Sequence, residues 1–427
     1  GYIPAPNAFF QNTWQVQPGE VISVDINMEV SDYKYYRFDS LEIKYNETNP
    51  NLIPQIDNIL SNVIKRQLTS DRPIGSFLSG GIDSPLISYY MHEQNPNLET
   101  FTVGSNDPEF DESFAAENYA NYIGVINNHL NCSSKTILKD IDEHFKAYSE
   151  PFGDYSSLPS FQICKMASSQ FSVLLGGDGG DEVFWGYPRF LQFSSHFNWF
   201  KLPLFSRLPL AYMMRRLGKQ ISYGISVKTI QEWVLAHHSQ NNILTIEKLL
   251  PGFKSSVNVD NLYSIGESIK NKKDLLTWLR KNEFYGHLQR VLLKIDRASM
   301  YHGLEVRVPF LDKDVLNFML EVQPELNIKH LEPKIILKSL MKEKYPKNII
   351  QKEKKGFSFN LENSLKSILK EEVLALLVDQ DPYPRNTFNR IELNKYVNSY
   401  FNNENYNTWG IWILYSLQKW SNQYSFN

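Results

Sequence analysis

The sequence predicts an α/β fold, a doubly wound parallel sheet elaborated by a C-terminal helical region, on three observations. Strand-like and helix-like segments alternate between residues 45 and 190. Two of the strand-like runs, Ile74–Leu78 and Phe171–Leu175, end in glycine-rich turns. Beyond residue 191 apolar residues recur at helical spacing, as in Leu275–Leu293 and Leu361–Val378. Alternation of this kind implies strands paired in parallel and covered on both faces. Ligands of such sheets bind at the carboxyl ends of the strands.

The elements follow in order. Glu20–Met28 alternates apolar and polar residues, the period of a half-buried strand, and Lys34–Phe38 offers a second run. Two or three strands do not make an independent domain. The opening region therefore reads as the last piece of a sheet whose other strands lie elsewhere, and a first residue of Gly1 fits a fragment or processed chain. Ile74–Leu78 is a strand, and Pro85–Glu93 a helix with proline in its first turn, where a missing N–H costs nothing. Glu99–Val103 reads as strand, Ala115–Ile123 as helix, Ile126–Asn131 as strand and Ile137–Tyr148 as one amphipathic helix. Phe171–Leu175 is again a strand. Asp381–Arg385 holds two prolines and reads as a loop, and the last helix carries Trp409, Trp412 and Trp420 on what should be buried faces.

Composition bounds the function. A length of 427 residues predicts two or three domains at about 150 residues each. A net charge of −3 advertises no nucleic acid. The longest apolar region, Phe200–Met214, is interrupted by Lys201, Pro203, Arg207 and Pro209. It falls short of the roughly 20 apolar residues of a membrane span, so no membrane partner is expected. Two cysteines, Cys132 and Cys164, exclude a disulfide scaffold and a multi-cysteine metal site, and they fit a reducing, cytoplasmic compartment. Each reads as a small buried hydrophobe.

Four stretches carry chemistry. In Leu78-Ser79-Gly80-Gly81-Ile82-Asp83-Ser84 a strand runs into two glycines and a helix start. Glycines allow close backbone approach, successive N–H groups form an anion nest, and the helix N-terminus adds positive potential. Ser79 and Ser84 add hydroxyl donors. Asp83 would repel bare phosphate, so its presence implies a bridging Mg²⁺. The lysine of the GxxxxGK[ST] loop is absent. A tight turn with a capping serine is the bland alternative. In Gly176-Gly177-Asp178-Gly179-Gly180-Asp181-Glu182 four glycines and three carboxylates follow a second strand. Asp181 or Glu182 could hold the cation that Asp83 needs; an acidic surface loop is the alternative. Lys294–Met300 leads into Gly303–Asp312, where Glu305 and Arg307 alternate with apolar residues and could equally be a structural ion-pair lattice. Lys352–Phe357 is a basic, glycine-containing loop able to place an ammonium on developing negative charge, or else a solvated charge run.

In that order, and with Glu150-Pro151-Phe152-Gly153-Asp154 between them, SGGIDS, GGDGGDEVF, DRASMYHGLEVRVPFLD and KKGF resemble the synthetase domain of glutamine-dependent asparagine synthetases. That family includes β-lactam synthetases, lasso-peptide cyclases and amidotransferases of surface-polysaccharide clusters. The resemblance implies an adenine-nucleotide alpha-hydrolase (PP-loop) sheet and a synthetase domain over residues 45–427. It makes residues 1–44 the tail end of a glutaminase-type domain whose N-terminal cysteine nucleophile this chain lacks. It implies ATP and Mg²⁺ as cofactors, adenylation of a carboxylate, by default aspartate, and transfer of ammonia to it. A sugar acid or an amide-forming cyclisation is the alternative, and the family allows a homodimer. Leu78, Ser79, Gly80, Gly81, Asp83, Ser84, Val103, Gly104 and Gly177 are the implied ATP contacts, with Asp83 and Asp181 on the metal. Lys354, Asp178, Lys294 and Glu305 are the implied catalytic groups, with Lys355 standing in if the loop is shifted by one. Three positions depart from the pattern: Asp178 stands where many relatives have Glu, Trp185 where a small Gly is usual, and Pro85 where a small hydroxyl residue is common. A tryptophan near the acyl site would change its volume.

Overall fold

The structure, a computed structural model, describes residues 1–36, 51–105, 107–216, 224–239, 241, 243–253, 267–328, 332–351 and 359–424. Its main sheet has five parallel strands: β3 (Ile74–Phe77), β4 (Glu99–Ser105), β5 (Ile126–Cys132), β6 (Val173–Leu175) and β7 (Glu305–Arg307), in the order β5-β4-β3-β6-β7. Two further strands, β1 (Glu20–Val24) and β2 (Val30–Lys34), form a separate antiparallel hairpin in which Glu20 faces Lys34.

The order of the main sheet fixes where a ligand can sit. From β3 the chain winds outward through β4 to β5, then returns to the other side of β3 as β6 and continues outward to β7. The winding direction reverses between β3 and β6, which pair directly at Ile74–Val173, Gly75–Leu174 and Ser76–Leu175. A crevice opens at such a switch point, outside the strand carboxyl ends. Both glycine-rich turns follow these two strands. Gly75 lets them close up, since a Cβ there would stand 2.7 Å from Leu174 Cδ2.

Several elements differ from the sequence expectation for identifiable reasons. The helix after β3 runs Asp83–Gln94, two residues earlier than read, so Asp83 rather than Pro85 opens it. The segment read as one helix is two, Ser134–Lys139 and Ile141–Ala147, joined at Asp140. The Ser133 side chain caps the first by accepting from the Thr136 N–H. The helix Ser157–Ala167 follows Asp154 and is buried almost all round, which removes the periodicity that would have announced it. β7 has only three residues, too few for an alternation to register. In the opening hairpin the turn falls at Asp25–Glu29, where Asp25 Oδ1 accepts from the Asn27 and Glu29 N–H groups. The second strand thus ends at Lys34, where the sequence suggested it began; residues 37 and 38 lie outside the described residues.

The final helix, Thr408–Ser421, buries Trp412 and Trp420 completely, as expected, whereas Trp409 is half-buried and faces the crevice. Cys132 and Cys164 are both buried thiols, and burial pushes Cys132 up to about 12.

Candidate active site

One cavity of about 570 Å³ occupies the switch point. Its floor is made by the ends of β3, β4 and β6, and its far wall by the helix Leu288–Tyr301 and Trp409. Of the residues singled out from the sequence, Leu78, Ser79, Gly81, Asp83, Ser84, Val103, Gly104, Gly177, Asp178, Asp181 and Lys294 all line it. Gly80 lies in the same loop, against Gln351 and the helix Ser113–Ile123, where a Cβ would meet Gln351 Oε1 at 2.6 Å. Glu305 does not join them. It is exposed on β7 and pairs with Arg307 at 2.7 Å, while Arg307 also donates to the carbonyl of Thr69 at 2.9 Å. The pair lies at the sheet edge rather than buried in an ion-pair lattice. Lys354 and Lys355 lie outside the described residues.

The loop after β3 is closed on itself. Ser84 Oγ accepts from the Ser79 N–H at 2.8 Å and lies 2.9 Å from Ser79 Oγ, and Ser79 Oγ accepts from the Gly81 N–H at 3.2 Å. The hydroxyls thereby tie the loop to the start of the helix that follows it. Glycines in the second loop set its distance from the first. A Cβ on Gly177 would lie 2.8 Å from Asp83 Cβ, and one on Gly180 would lie 2.7 Å from Asp83 Oδ1.

Asp83 and Asp181 converge on one cation that the sequence reading missed. Lys334 Nζ donates to Asp83 Oδ1 and Oδ2 at 2.7 and 2.6 Å and lies 2.6 Å from Asp181 Oδ1. Lys334 is almost wholly buried and sits in the left-handed region (φ +58°) just before the helix Ile335–Lys344. Gly186 makes room for it, because a Cβ there would fall 2.1 Å from Lys334 Cε and 2.0 Å from Asp181 Oδ1. The sequence signal was weak: a lysine after a proline, more than 150 residues beyond Asp181.

Next to Asp181, Glu182 is fully buried. Burial, with the charge of Asp181, pushes its carboxyl up to about 7, against the Tyr187 hydroxyl, which donates to it at 2.6 Å. Tyr187 is sandwiched between Arg189, whose guanidinium carbon is 3.7 Å from the ring centre, and His287, stacked at 5.0 Å. Arg189 in turn grips the buried Glu283 through Nε at 2.6 Å and through Nη2. Trp185, adjacent, does not approach the crevice. It is buried beneath Arg280 and its indole N–H donates to the Leu276 carbonyl at 3.0 Å, so the expected change of pocket volume does not arise.

The far wall carries charge of both signs. Asp154 is buried, and Ser156 donates to its Oδ1 through the N–H at 3.0 Å and the hydroxyl at 2.7 Å. Arg290 Nε stands 3.4 Å from Oδ2. Desolvation opposes ionisation of Asp154, but Arg290, Lys294 and the Ser156 bonds outweigh it and hold the carboxyl below its usual range. Arg290 also donates to His287 Nε2 at 3.1 Å, which places the imidazole proton on Nδ1 and agrees with a pKa driven well down, first by burial. Tyr155, Phe359 and Trp409 form an aromatic edge around this end. Among the described residues no three His, Cys, Asp or Glu side chains group as a metal cage.

The fold and crevice define a PP-loop-type α/β protein with a serine–glycine loop and paired carboxylates at its switch point. A family model described as Asparagine synthase matches residues 55–422, and the chain belongs to that family. It is 25% identical over 395 residues to asparagine synthetase (glutamine-hydrolyzing) 1 of Bacillus subtilis (strain 168), covering 88% of this chain and 60% of that protein. It is 31% identical over 212 residues to a putative asparagine synthetase (glutamine-hydrolyzing) 2 of Methanocaldococcus jannaschii, covering 49% of this chain and 39% of that one. Amidase chyE of Penicillium rubens is 25% identical over 374 residues, covering 76% of this chain and 54% of that protein. The chain thus spans 60% or less of the length of each.

Proposed function

We propose that this chain is an ATP-dependent amide-forming ligase that adenylates a carboxylate, by default aspartate, and passes ammonia to it. In this reading residues 45–427 are the synthetase domain, and residues 1–44 belong to a glutaminase-type domain that supplies the ammonia. The observation that carries it is the meeting of Asp83 and Asp181, from two separate strand ends, on a single ammonium beside the serine–glycine loop.

The groups divide the work as follows. Ser79, Gly80, Gly81 and Ser84 hold the departing pyrophosphate with neutral donors, which attract without adding charge. Val103, Gly104, Leu78 and Gly177 give the base an apolar and backbone surface. Two carboxylates at one point are too few for an all-protein cage but suit Mg²⁺, which is commonly held by one or two carboxylates together with substrate phosphates. Asp83 and Asp181 would hold such an ion, which would supply charge neutralisation for the phosphates, while Lys334 at the same carboxylates and Lys354 from its loop would supply further positive charge. Asp178 and Lys294 line the same cavity, where Asp178 can accept a proton from the attacking amine. The reading is tested by pyrophosphate release from ATP across a panel of carboxylates with ammonium as nitrogen donor. Release with L-aspartate, lost in Asp83→Ala, is the expected result; release that no carboxylate stimulates overturns it.

A further inference from the structure

The helix Leu204–Arg216 buries a charged side chain and leaves large apolar side chains exposed. Its inner side carries Arg207, which is 2% exposed, and the buried Ala211. Arg207 donates to four carbonyls: Leu202 at 3.1 Å, Ile225 at 2.9 Å, Val227 at 3.0 Å and Lys228 at 3.0 Å. It also stacks on Phe200 at 4.6 Å. These bonds fix the helix by its polar anchor and turn its apolar side outward. Phe205, Leu208, Tyr212 and Met213, at helical spacing i, i+3, i+7 and i+8, are between 45 and 76% exposed, and Leu202 extends the stripe at 47%. Stripes of this kind normally face a core.

Charge identifies what covers the stripe. Between Glu182 and Glu232 there is no Asp or Glu, while the same stretch holds seven Lys or Arg, in a chain whose net charge is −3. Lys201 and Arg216 are exposed at the two ends of the helix, and Arg216 lies over the Tyr212 ring at 5.0 Å. A second copy docking here through a two-fold axis would set the same cations against each other. An apolar stripe with an exposed cation at each end, and a tyrosine among its apolar residues, matches the interfacial zone of an anionic bilayer. We propose that this helix is a peripheral membrane-binding surface that lies on anionic lipid. It does not span the bilayer, in keeping with the absence among the described residues of any helix long and apolar enough to cross one. The consequence is a ligase held at a membrane surface, which goes beyond the reaction assigned above and does not depend on it.

Co-sedimentation of the full chain with vesicles tests this. One set is phosphatidylcholine alone and the other contains about one quarter phosphatidylglycerol, both at about 100 mM salt. The expected result is at least about tenfold stronger association with the anionic vesicles, released by high salt. The pair Phe205→Ser with Tyr212→Ser should lower that association about tenfold or more, and Lys201→Glu with Arg216→Glu should abolish the preference for anionic lipid. All four positions are exposed, and an unchanged thermal melt shows the variants folded. Absence of wild-type association with either vesicle overturns the proposal, as does association that survives Phe205→Ser with Tyr212→Ser. A concentration-dependent dimer that dissolves in that variant, without lipid association, also overturns it and assigns the stripe to a second copy.

Discussion

Replacing Lys334 with Met isolates the electrostatics of the crevice from its chemistry. Asp83 and Asp181 each have an oxygen 2.6 Å from the same nitrogen, so those oxygens stand at most twice that distance apart. Without the ammonium, two like charges about 5 Å apart repel by about 3 kcal/mol at an effective dielectric of about 20. A figure of about 3–5 kcal/mol is also what removal of one partner from a buried ion pair costs. All three side chains are 15% exposed or less, so solvent screens little of it. For a chain of 427 residues the entropy of unfolding near the melting point is about 0.9 kcal/mol/K, which converts 3 kcal/mol to a fall of about 3 °C. The assay is a thermal melt of the full chain in a metal-chelating buffer, repeated with about 10 mM Mg²⁺, which on the proposed reading should bind the folded state and restore part of the loss. Adding Asp181→Asn to the Lys334 variant removes the repulsion and should recover more than half of it. A melting point within about 0.5 °C of wild type, or a double variant no more stable than the single one, refutes the argument.

The buried Glu182 makes a pH prediction. Its carboxyl, raised from 4.5 to about 7, holds a proton in the folded chain that the unfolded chain releases earlier. Its contribution to stability is therefore complete below about pH 4.5 and falls by about 3 kcal/mol as pH rises through about 7. Urea melts at about pH 5 and about pH 8 should show Glu182→Gln with a flatter dependence than wild type, and equal slopes would dismiss the idea. Gly186→Ala puts a methyl into the space of Lys334 and Asp181 and is expected to abolish pyrophosphate release, with about 1–3 kcal/mol of destabilisation; normal turnover in that variant would show that the three groups need not stay together. Lys354→Ala is expected to lower kcat by about 10²–10³ with little change in ATP affinity. Lys355→Ala, assayed beside it for pyrophosphate release, decides which lysine of the loop acts, and two normal variants would make the loop a solvated face.

What was legible in the sequence is what local chemistry dictates. The turns after β3 and β6 announced themselves because glycine is required wherever the chain crowds, and the structure shows that crowding at Gly80, Gly177 and Gly180. Long-range neighbours carry no such signature. Lys334 is 251 residues from Asp83, and its flanks hold no glycine turn and only Glu332 as a nearby carboxylate, which does not single it out. Arg290 was overlooked for the same reason: on a periodic helix an arginine reads as a solvated residue, and only the fold brings Asp154 to it. Trp185 misled in the opposite direction. Its place where a small Gly is usual suggested a change of pocket volume, but at φ +50° the backbone turns it inward to the Leu276 carbonyl.

Sequence adjacency and spatial role separate most sharply at Glu305 and Arg307. Both lie within a stretch that matches the family, yet they close an ion pair on the outermost strand, with Arg307 tied to the loop after the helix Leu52–Gln67. A family motif of that length mixes residues that hold the sheet edge with residues that meet the substrate, and spacing alone does not sort them. The sorting comes from the switch point. Residues at the carboxyl ends of β3 and β6 face the crevice because the chain reverses its winding there, while β7 lies one strand further out. On this argument the proposed chemistry falls to the glycines and carboxylates of two loops, while Glu305 and Arg307 close a pair on β7 that is tied to the Thr69 carbonyl.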